Sequence, residues 1–366
     1  MFVALRELRF AKGRFALMGA VVLLITLLVT MLSGLTAGLA RENVSAVADL
    51  SADRVVFSTG KGPDGEPAEP SFSDSRIAEH TWQAWKEVDG VVAERLGVGM
   101  GRLTLGTGDQ RGTAVAVFGV EPGGASARGA GAAVEDGKVV LSAAVAEETG
   151  LAAGARVNLL GREFTVAGAG TAASYSHAPV VWITIGDWRR IAAPQDGDVA
   201  ATVLALRVEG DPGLASTDAR LGTTTVTRDA ALTAIGSFSS ENGSLQLMRG
   251  LLFAISALVI GAFFAVWTIQ RRGDVAVLKA LGAGTGYLLR DALAQAVIVL
   301  LAGAGAGGAI GAGLGALAEG AVPFVLSAAT TLVPVAVMIL LGTAGAALAI
   351  RKITSVDPLT ALGASR

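Results

Sequence analysis

The sequence contains no cysteine, few charged residues and few aromatic residues. Of its 366 residues, 16% are charged and 5% are aromatic. Without cysteine the chain cannot form a disulfide, a zinc–thiolate site or a thiol nucleophile, so any part outside the cytoplasm must be held together by core packing. The formal net charge of -2 gives no electrostatic reason to expect a nucleic-acid partner.

Apolar residues, in contrast, are in excess. They make up 52% of the chain, and the mean hydropathy of +0.58 is too high for an average soluble enzyme. Four charge-free runs each reach the roughly 20 residues that a helix needs to cross a hydrocarbon core of about 30 Å. They predict transmembrane helices at residues 15–40, 250–269, 292–318 and 322–350.

The first apolar run could instead be a cleaved signal peptide. Basic residues precede it, and the small residues "GLA" stand before Arg41. Its apolar stretch is about twice the length of a signal-peptide core, which favours a retained helix.

Basic residues indicate the orientation of the helices. They flank the spans at Arg6, Arg9, Lys12, Arg14, Arg271, Arg272, Lys279, Arg290, Arg351 and Lys352. Because basic residues remain on the cytoplasmic side, residues 1–14 are predicted to form a cytoplasmic amphipathic helix, 270–291 a cytoplasmic loop and 351–366 a cytoplasmic tail. Both termini are therefore expected in the cytoplasm of a multi-pass plasma-membrane protein.

The segment 41–249 then lies outside the cell. Alternating stretches such as "GTAVAVFGVEP" and "ARVNLLGREFTVAG" predict strands, and "VVLSAAVAEETGL" passes from a strand into a helix. The fold class is thus an α-helical membrane protein with four transmembrane helices and a mixed α/β extracytoplasmic domain inserted between helices 1 and 2.

Chemistry-bearing motifs are absent from the sequence. The four apolar runs contain no Asp, Glu, His, Lys or Arg, whereas ion-coupled carriers usually keep an ionisable group inside the membrane. No G-x-x-x-x-G-K-[ST] loop is present to bind a nucleotide, and we identify no catalytic residues, metal ligands or intrinsic cofactor. The paired acids Glu147 and Glu148 fit a solvated helix face. Energy for membrane work must come from another chain.

The stretch "QRRGDVAVLKALGAG", from Gln270 to Gly284, joins the second and third spans. Its aliphatic residues recur at helical spacing beside basic residues, which is typical of an amphipathic helix. Such a helix could lie against the inner membrane surface or dock into a groove of a cytoplasmic partner, and the pattern alone leaves both open.

This stretch and the ending "RKITSVDPLTALGASR" resemble the permease domain of type VII ABC transporters, the family of the cell-division, macrolide-exporter and lipoprotein-release permeases. The layout of one span, an outer domain and three spans is similar along the whole chain, although Asp274 replaces the more common Glu. The resemblance implies a homodimer in membrane lipid that works with a cytoplasmic ABC ATPase, which binds ATP and Mg²⁺. It also implies that the loop is the coupling helix, with the contact residues Gly273, Asp274, Val275, Leu278, Lys279, Ala280, Leu281 and Gly282.

A narrower resemblance concerns the cargo. "ALRELRFAKGRFALMGAVVLLITLLVTMLSGLTAGL" is similar to the start of haem-efflux permeases of Gram-positive bacteria, especially actinobacteria, and implies haem as the exported substrate. Two copies would form a haem-sized slot between their first and second spans. Its candidate ligands are Met31, Glu42, Glu241, Gln246 and Met248. The two histidines, His80 and His177, fit solvated outer-domain positions better than ligands.

Two other functions remain open for this architecture. The permease could transmit force to a cell-wall hydrolase or release a lipoprotein, or the chain could be a membrane sensor without transport. A neighbouring ATPase gene would argue against the sensor, and a neighbouring haem-responsive two-component system would favour haem export.

Glycines in the third predicted span recur at every fourth residue, at Gly303, Gly307, Gly311 and Gly315. This spacing places them on one helix face and lets another backbone approach closely. The pattern favours packing against the fourth span over a seam between two copies.

Overall fold

The computed structural model describes residues 12–60, 68–105, 112–191, 198–270, 273, 277–279, 281–318 and 321–354. The chain divides into two compact units. We call Met1–Leu39 with Ser244–Arg366 the membrane unit and Ala40–Gly243 the extracellular unit. Of the predicted N-terminal helix at 1–14 and the predicted tail at 351–366, residues 1–11 and 355–366 lie outside the described residues.

Long helices flank a region of short strands and short helices. The helices are α1 Lys12–Ala48, α2 Glu79–Lys86, α3 Ala143–Thr149, α4 Ile185–Ile191, α5 Leu214–Leu221, α6 Arg228–Ala231, α7 Gly236–Gln270, α8 Thr285–Ala318 and α9 Ala328–Thr354. The strands are β1 Arg54–Ser58, β2 Ile77–Ala78, β3 Val91–Thr104, β4 Gly112–Val120, β5 Lys138–Leu141, β6 Arg156–Leu159, β7 Arg162–Ala169, β8 Ser174–Tyr175, β9 Ala178–Thr184, β10 Val199–Ala201, β11 Val203–Val208 and β12 Thr223–Thr227.

Helices α1, α7, α8 and α9 have the length and apolar composition needed to cross a membrane. In a bilayer every backbone N–H and C=O must be paired, and a helix pairs them within itself. The first three contain 37, 35 and 34 residues, more than the apolar runs predict. The helices extend further because mixed sequences such as "RENVSAVA" continue α1 beyond the charge-free run 15–40, and hydropathy detects only that run.

Helix α9 begins at Ala328, six residues after the predicted start of the fourth span at Val322. Ser327 explains this later start because it caps the helix. Its Oγ accepts a hydrogen bond from the backbone N–H of Thr330 at 3.1 Å, and the Thr330 Oγ1 accepts from the Ser327 N–H at 2.9 Å. This reciprocal pair satisfies backbone donors that the first helical turn leaves open.

The glycine face of α8 packs against the first span. A Cβ on Gly303 would lie 2.8 Å from the Gly19 carbonyl oxygen, and one on Gly311 would lie 3.1 Å from the Thr30 Cβ. A Cβ on Gly307 would clash with the carbonyl oxygen of Leu23. The expectation that this stripe packs on the fourth span is therefore wrong for these three glycines, which pack against α1. It holds for Gly315, which lies against Phe324 of the predicted fourth span.

Replacing Gly307 by alanine should destabilise the membrane unit. The new methyl group would force α1 and α8 apart, and overpacking of this kind costs about 1–3 kcal/mol. Gly305→Ala is a matched control, because a Cβ at Gly305 meets nothing within 4 Å. Thermal unfolding of both variants in one detergent tests this: we expect a lower midpoint for Gly307→Ala only, and equal midpoints would contradict the packing.

The extracellular unit is built on a ten-stranded mixed sheet. Its strand order is β12-β1-β11-β3-β4-β9-β5-β7-β6, with β8 paired to β9. Strand β6 also pairs with the far end of β3, joining Leu103 to Leu159, so that β3, β4, β9, β5, β7 and β6 form a closed ring. The pairs β4–β9 and β5–β7 are parallel. The long connection that a parallel pair needs is supplied by the strands β5–β8 in the first case and by α3 and β6 in the second.

Both faces of the sheet are buried, as the nearly continuous burial of β4 shows. One face packs against the last turns of α1, through Val44 and Val47, and against residues 231–235. The other packs against the short helices, through Trp85 of α2 and Trp188 of α4. The two cores hold the unit together by apolar packing, as a chain without cysteine requires.

Candidate functional site

The segment between α7 and α8 ends in a defined helical turn. The backbone N–H of Ala283 donates to the Leu278 carbonyl at 2.9 Å, and that of Gly282 donates to the Lys279 carbonyl at 3.0 Å. Gly282 has a φ of +92°, in the left-handed region that favours glycine. This bonding pattern is the Schellman motif, which ends a helix and turns the chain toward α8.

Two aliphatic side chains of this turn face outward. Leu281 is 80% exposed and Val277 is 54% exposed, and their spacing of four places them on one helix face. Leu278 and Lys279 are half-buried. Of the other predicted contact residues, Gly273 is helical and exposed, whereas Asp274, Val275 and Ala280 lie outside the described residues. The turn therefore presents an apolar pair that a partner protein could cover.

The five predicted haem ligands lie on α1 and α7, and four of them are exposed. Met31 is half-buried, whereas the side chains of Glu42, Glu241, Gln246 and Met248 are exposed. No hydrogen bond or ion pair joins any two of the five across the described ranges. Met248 is 50% exposed, so its thioether is accessible to a ligand.

Glu241 instead belongs to a polar cluster within the extracellular unit, which we call the hairpin cluster: Asn43, Ser176, His177, Ser237 and Glu241. His177 Nε2 lies 2.8 Å from Glu241 Oε2, and because a carboxylate only accepts, the imidazole donates. Asn43, which is 1% exposed, donates from Nδ2 to the same carboxylate oxygen at 3.4 Å. Its Oδ1 accepts from Ser237 Oγ at 2.7 Å. The cluster thus links the end of α1 with the start of α7 through one hairpin.

The tip of that hairpin has an unusual backbone. Ser176 and His177, between β8 and β9, have φ angles of 51° and 61°. A two-residue turn with both φ angles positive normally carries Asn and Gly, because other residues are strained there. The Ser176 N–H donates to the Asn43 carbonyl at 2.9 Å, and its Oγ lies 2.8 Å from Ser237 Oγ. The hairpin cluster therefore holds the tip in place at the cost of local strain.

Sequence reasoning missed this cluster because its members are far apart in the chain. Asn43 and Ser237 are separated by 194 positions, and Asn43 and His177 by 134. The one local signal is the stretch "SYSHAP", a hairpin without the Gly or Asn that its turn would favour.

Asn43→Ala should destabilise the extracellular unit more than His177→Gly. Removing the buried Asn43 amide leaves several hydrogen-bond partners unsatisfied, at a cost of about 1–3 kcal/mol. Glycine at position 177 loses the half-exposed hydrogen bond to Glu241, worth about 0.5–1.5 kcal/mol, but relieves strain of similar size. Thermal unfolding of the two variants tests this ranking. If His177→Gly lowers the midpoint as much as Asn43→Ala does, the tip is not strained.

Within the part of the chain that the structure describes, no group of three His, Asp or Glu side chains could hold a metal ion. The hairpin cluster contains one histidine and one carboxylate, which suits a structural link between helices better than a metal centre.

Two family models match the chain. The MacB-like periplasmic core domain matches residues 15–224, and the FtsX-like permease C-terminal region matches residues 247–358. Together they cover most of α1, the extracellular unit as far as residue 224 and, from residue 247, the three later helices.

Relatives and solved structures with similarity to the chain include three of note. One is a protein of Staphylococcus haemolyticus that is named as the putative hemin transport system permease HrtB. It is 25% identical to this chain over 365 residues, which is 99% of each chain. An ABC transporter permease of Mycobacterium bovis is 31% identical over 120 residues, 33% of this chain and 34% of its own. The periplasmic region of MacB from Actinobacillus actinomycetemcomitans aligns with a TM-score of 0.37 and 10% identity, over 54% of this chain and 97% of that structure.

Proposed function

Because the chain belongs to the ABC transporter permeases that combine a MacB-like periplasmic core domain with an FtsX-like C-terminal region, we propose that it is the membrane subunit of an ATP-driven haem exporter. It is a plasma-membrane protein with an extracellular domain. In the proposed function it removes haem from the membrane and so protects the cell against haem toxicity.

One observation carries the choice of haem. The similarity to the staphylococcal permease named for hemin transport extends over 99% of both chains and so includes every region that could contact cargo. Exposed Met248 and Glu42 support the proposal, because thioether and carboxylate groups at the outer ends of the spans could contact haem. In this proposal two permease copies form the haem slot, with both termini in the cytoplasm.

In this proposal, ATP hydrolysis by a separate ATPase is coupled to the permease through the segment between α7 and α8. The sequence has no nucleotide-binding loop, so a separate ABC ATPase would bind ATP and Mg²⁺. The exposed pair Val277 and Leu281 supports this role, because an apolar surface beside a fixed turn suits docking to a protein groove. Closure of the ATPase would move the turn and, through α7 and α8, the cargo slot.

Transport in proteoliposomes tests the proposed function. The permease and its ATPase are reconstituted with haemin in the bilayer, and haemin transfer to external albumin is followed by absorbance. We expect transfer that requires ATP and Mg²⁺ and stops when the catalytic glutamate of the ATPase is replaced. Equal transfer with and without ATP would contradict export.

The hairpin cluster favours a second function, mechanical transmission to a cell-wall hydrolase or a lipoprotein. A strained hairpin bonded to both α1 and α7 could carry helix movement into the extracellular unit. If ATP hydrolysis proceeds without haemin transfer and a hydrolase binds the extracellular unit, this alternative replaces haem export.

A further inference from the structure

The extracellular unit contains a cavity of about 460 Å³, within the usual size range of small-molecule sites. It opens between the middle of β3, the β8–β9 hairpin, the end of α4 and the start of α7. Its apolar wall includes Phe72, Met100, Leu160, Tyr175, Trp188 and Ile235. Aromatic rings on this wall offer faces and edges against which a flat ligand can pack.

Trp188 lines the cavity and carries an unpaired donor. Its side chain is 2% exposed, and its Nε1–H has no hydrogen-bond partner in the described residues. The indole packs on Gly97 and Gly119, where any larger residue would collide with it, so the ring is fixed in place. The fixed indole gives the cavity a rigid apolar wall against which a flat ligand can pack.

The positive charge of Arg76 on the cavity wall favours an anionic ligand. Among the described residues, Arg76 is the charged side chain that lines the cavity, and none of the described lining side chains is a carboxylate. Arg76 Nη1 donates to the carbonyls of Ser73 at 3.0 Å and Ser75 at 2.7 Å, which orients the guanidinium. The Tyr175 phenol stays neutral, because burial raises its pKa well above the usual value. An anionic group is therefore favoured beside Arg76.

We propose that this cavity binds one amphipathic aromatic anion, with its ring against Trp188 and Tyr175 and its carboxylate or sulfonate at Arg76. Hydroxyl groups of Ser176 and Ser237 also line the cavity, and both belong to the hairpin cluster. Occupancy would thus be sensed by the hairpin that bonds to α7. The site does not depend on haem being the exported cargo.

Binding of naphthalene-1-sulfonate to the full chain in lipid nanodiscs tests the proposal. Calorimetry, with empty nanodiscs subtracted, should show saturable binding of one sulfonate per chain and at least tenfold weaker binding of the neutral 1-naphthalenemethanol. Met100→Glu should weaken sulfonate binding at least tenfold, because it adds a negative charge to the wall. Val92→Glu is the matched control, since Val92 is equally exposed on β3 but does not line the cavity.

The variant Arg76→Gln distinguishes the contribution of the anionic group to binding from that of the aromatic ring. It should weaken sulfonate binding at least tenfold and change binding of the neutral alcohol less than twofold. The proposal is overturned if the sulfonate shows no saturable binding above empty nanodiscs, if Met100→Glu binds as well as Val92→Glu, or if the neutral alcohol binds as tightly as the sulfonate. None of these results bears on haemin transfer, so failure here is distinct from failure of haem export.

Discussion

Replacing Leu281 by aspartate is expected to uncouple the permease from its ATPase. Leu281 is the more exposed residue of the apolar pair on the turn between α7 and α8. Burying a leucine at an interface contributes about 1.5–3 kcal/mol, and burying an unpaired carboxylate there costs more. Together these terms weaken binding of the ATPase by about 100-fold or more. Copurification and ATPase activity of the complex measure the loss.

Thr285→Asp is the control for this variant. Thr285 is exposed four residues later and begins α8, where a negative charge is favoured by the helix dipole. We expect Thr285→Asp to assemble with the ATPase as the unmodified chain does. Equal loss in both variants would mean that charge near the membrane, and not an apolar contact at Leu281, causes the defect.

Replacing Met248 by alanine is expected to lower haemin affinity and haemin resistance about tenfold or more. The change removes an exposed thioether that could ligate iron, and loss of a ligand weakens a metal–ligand complex strongly. Leu247→Ala is the matched control, because the neighbouring Leu247 is also exposed but has no atom that can bind iron. Haemin absorption spectra and growth on haemin measure the two effects.

Glu42→Gln and Met31→Ala complete this series. Glu42 is exposed on α1, whereas Glu241 already accepts hydrogen bonds from the hairpin cluster and is less free to bind iron. If single replacements of Met31, Glu42 and Met248 all leave haemin binding and resistance unchanged, the proposed slot between the first and second spans is not the haem site.

The spans and the class of the extracellular unit could be predicted from the sequence. In a bilayer, a charge-free run of this length is stable as a helix, and alternating stretches such as "GTAVAVFGVEP" indicate β-strands. The transition from strand to helix at "VVLSAAVAEETGL" could also be predicted from the sequence, and in the structure Ser142 caps α3. Each of these features depends on neighbours in the chain.

Features that depend on distant contacts could not be predicted. The spacing of Gly303, Gly307 and Gly311 indicates a close helix contact but not which helix makes it, and α1 is nearly 300 residues away in sequence. The hairpin cluster joins residues from three regions of the chain, and its strained tip has no turn signature. Burial of the Trp188 donor likewise depends on how β3, β4 and α4 pack.

ATPase activity of the purified permease–ATPase complex, titrated with haemin while the haem absorption band is recorded, tests haem export most directly. Our account predicts saturable stimulation of ATP hydrolysis, together with a shift of the band to that of ligated haem at the same haemin concentration. Hydrolysis that does not respond to haemin, with the spectrum of free haemin throughout, would contradict it.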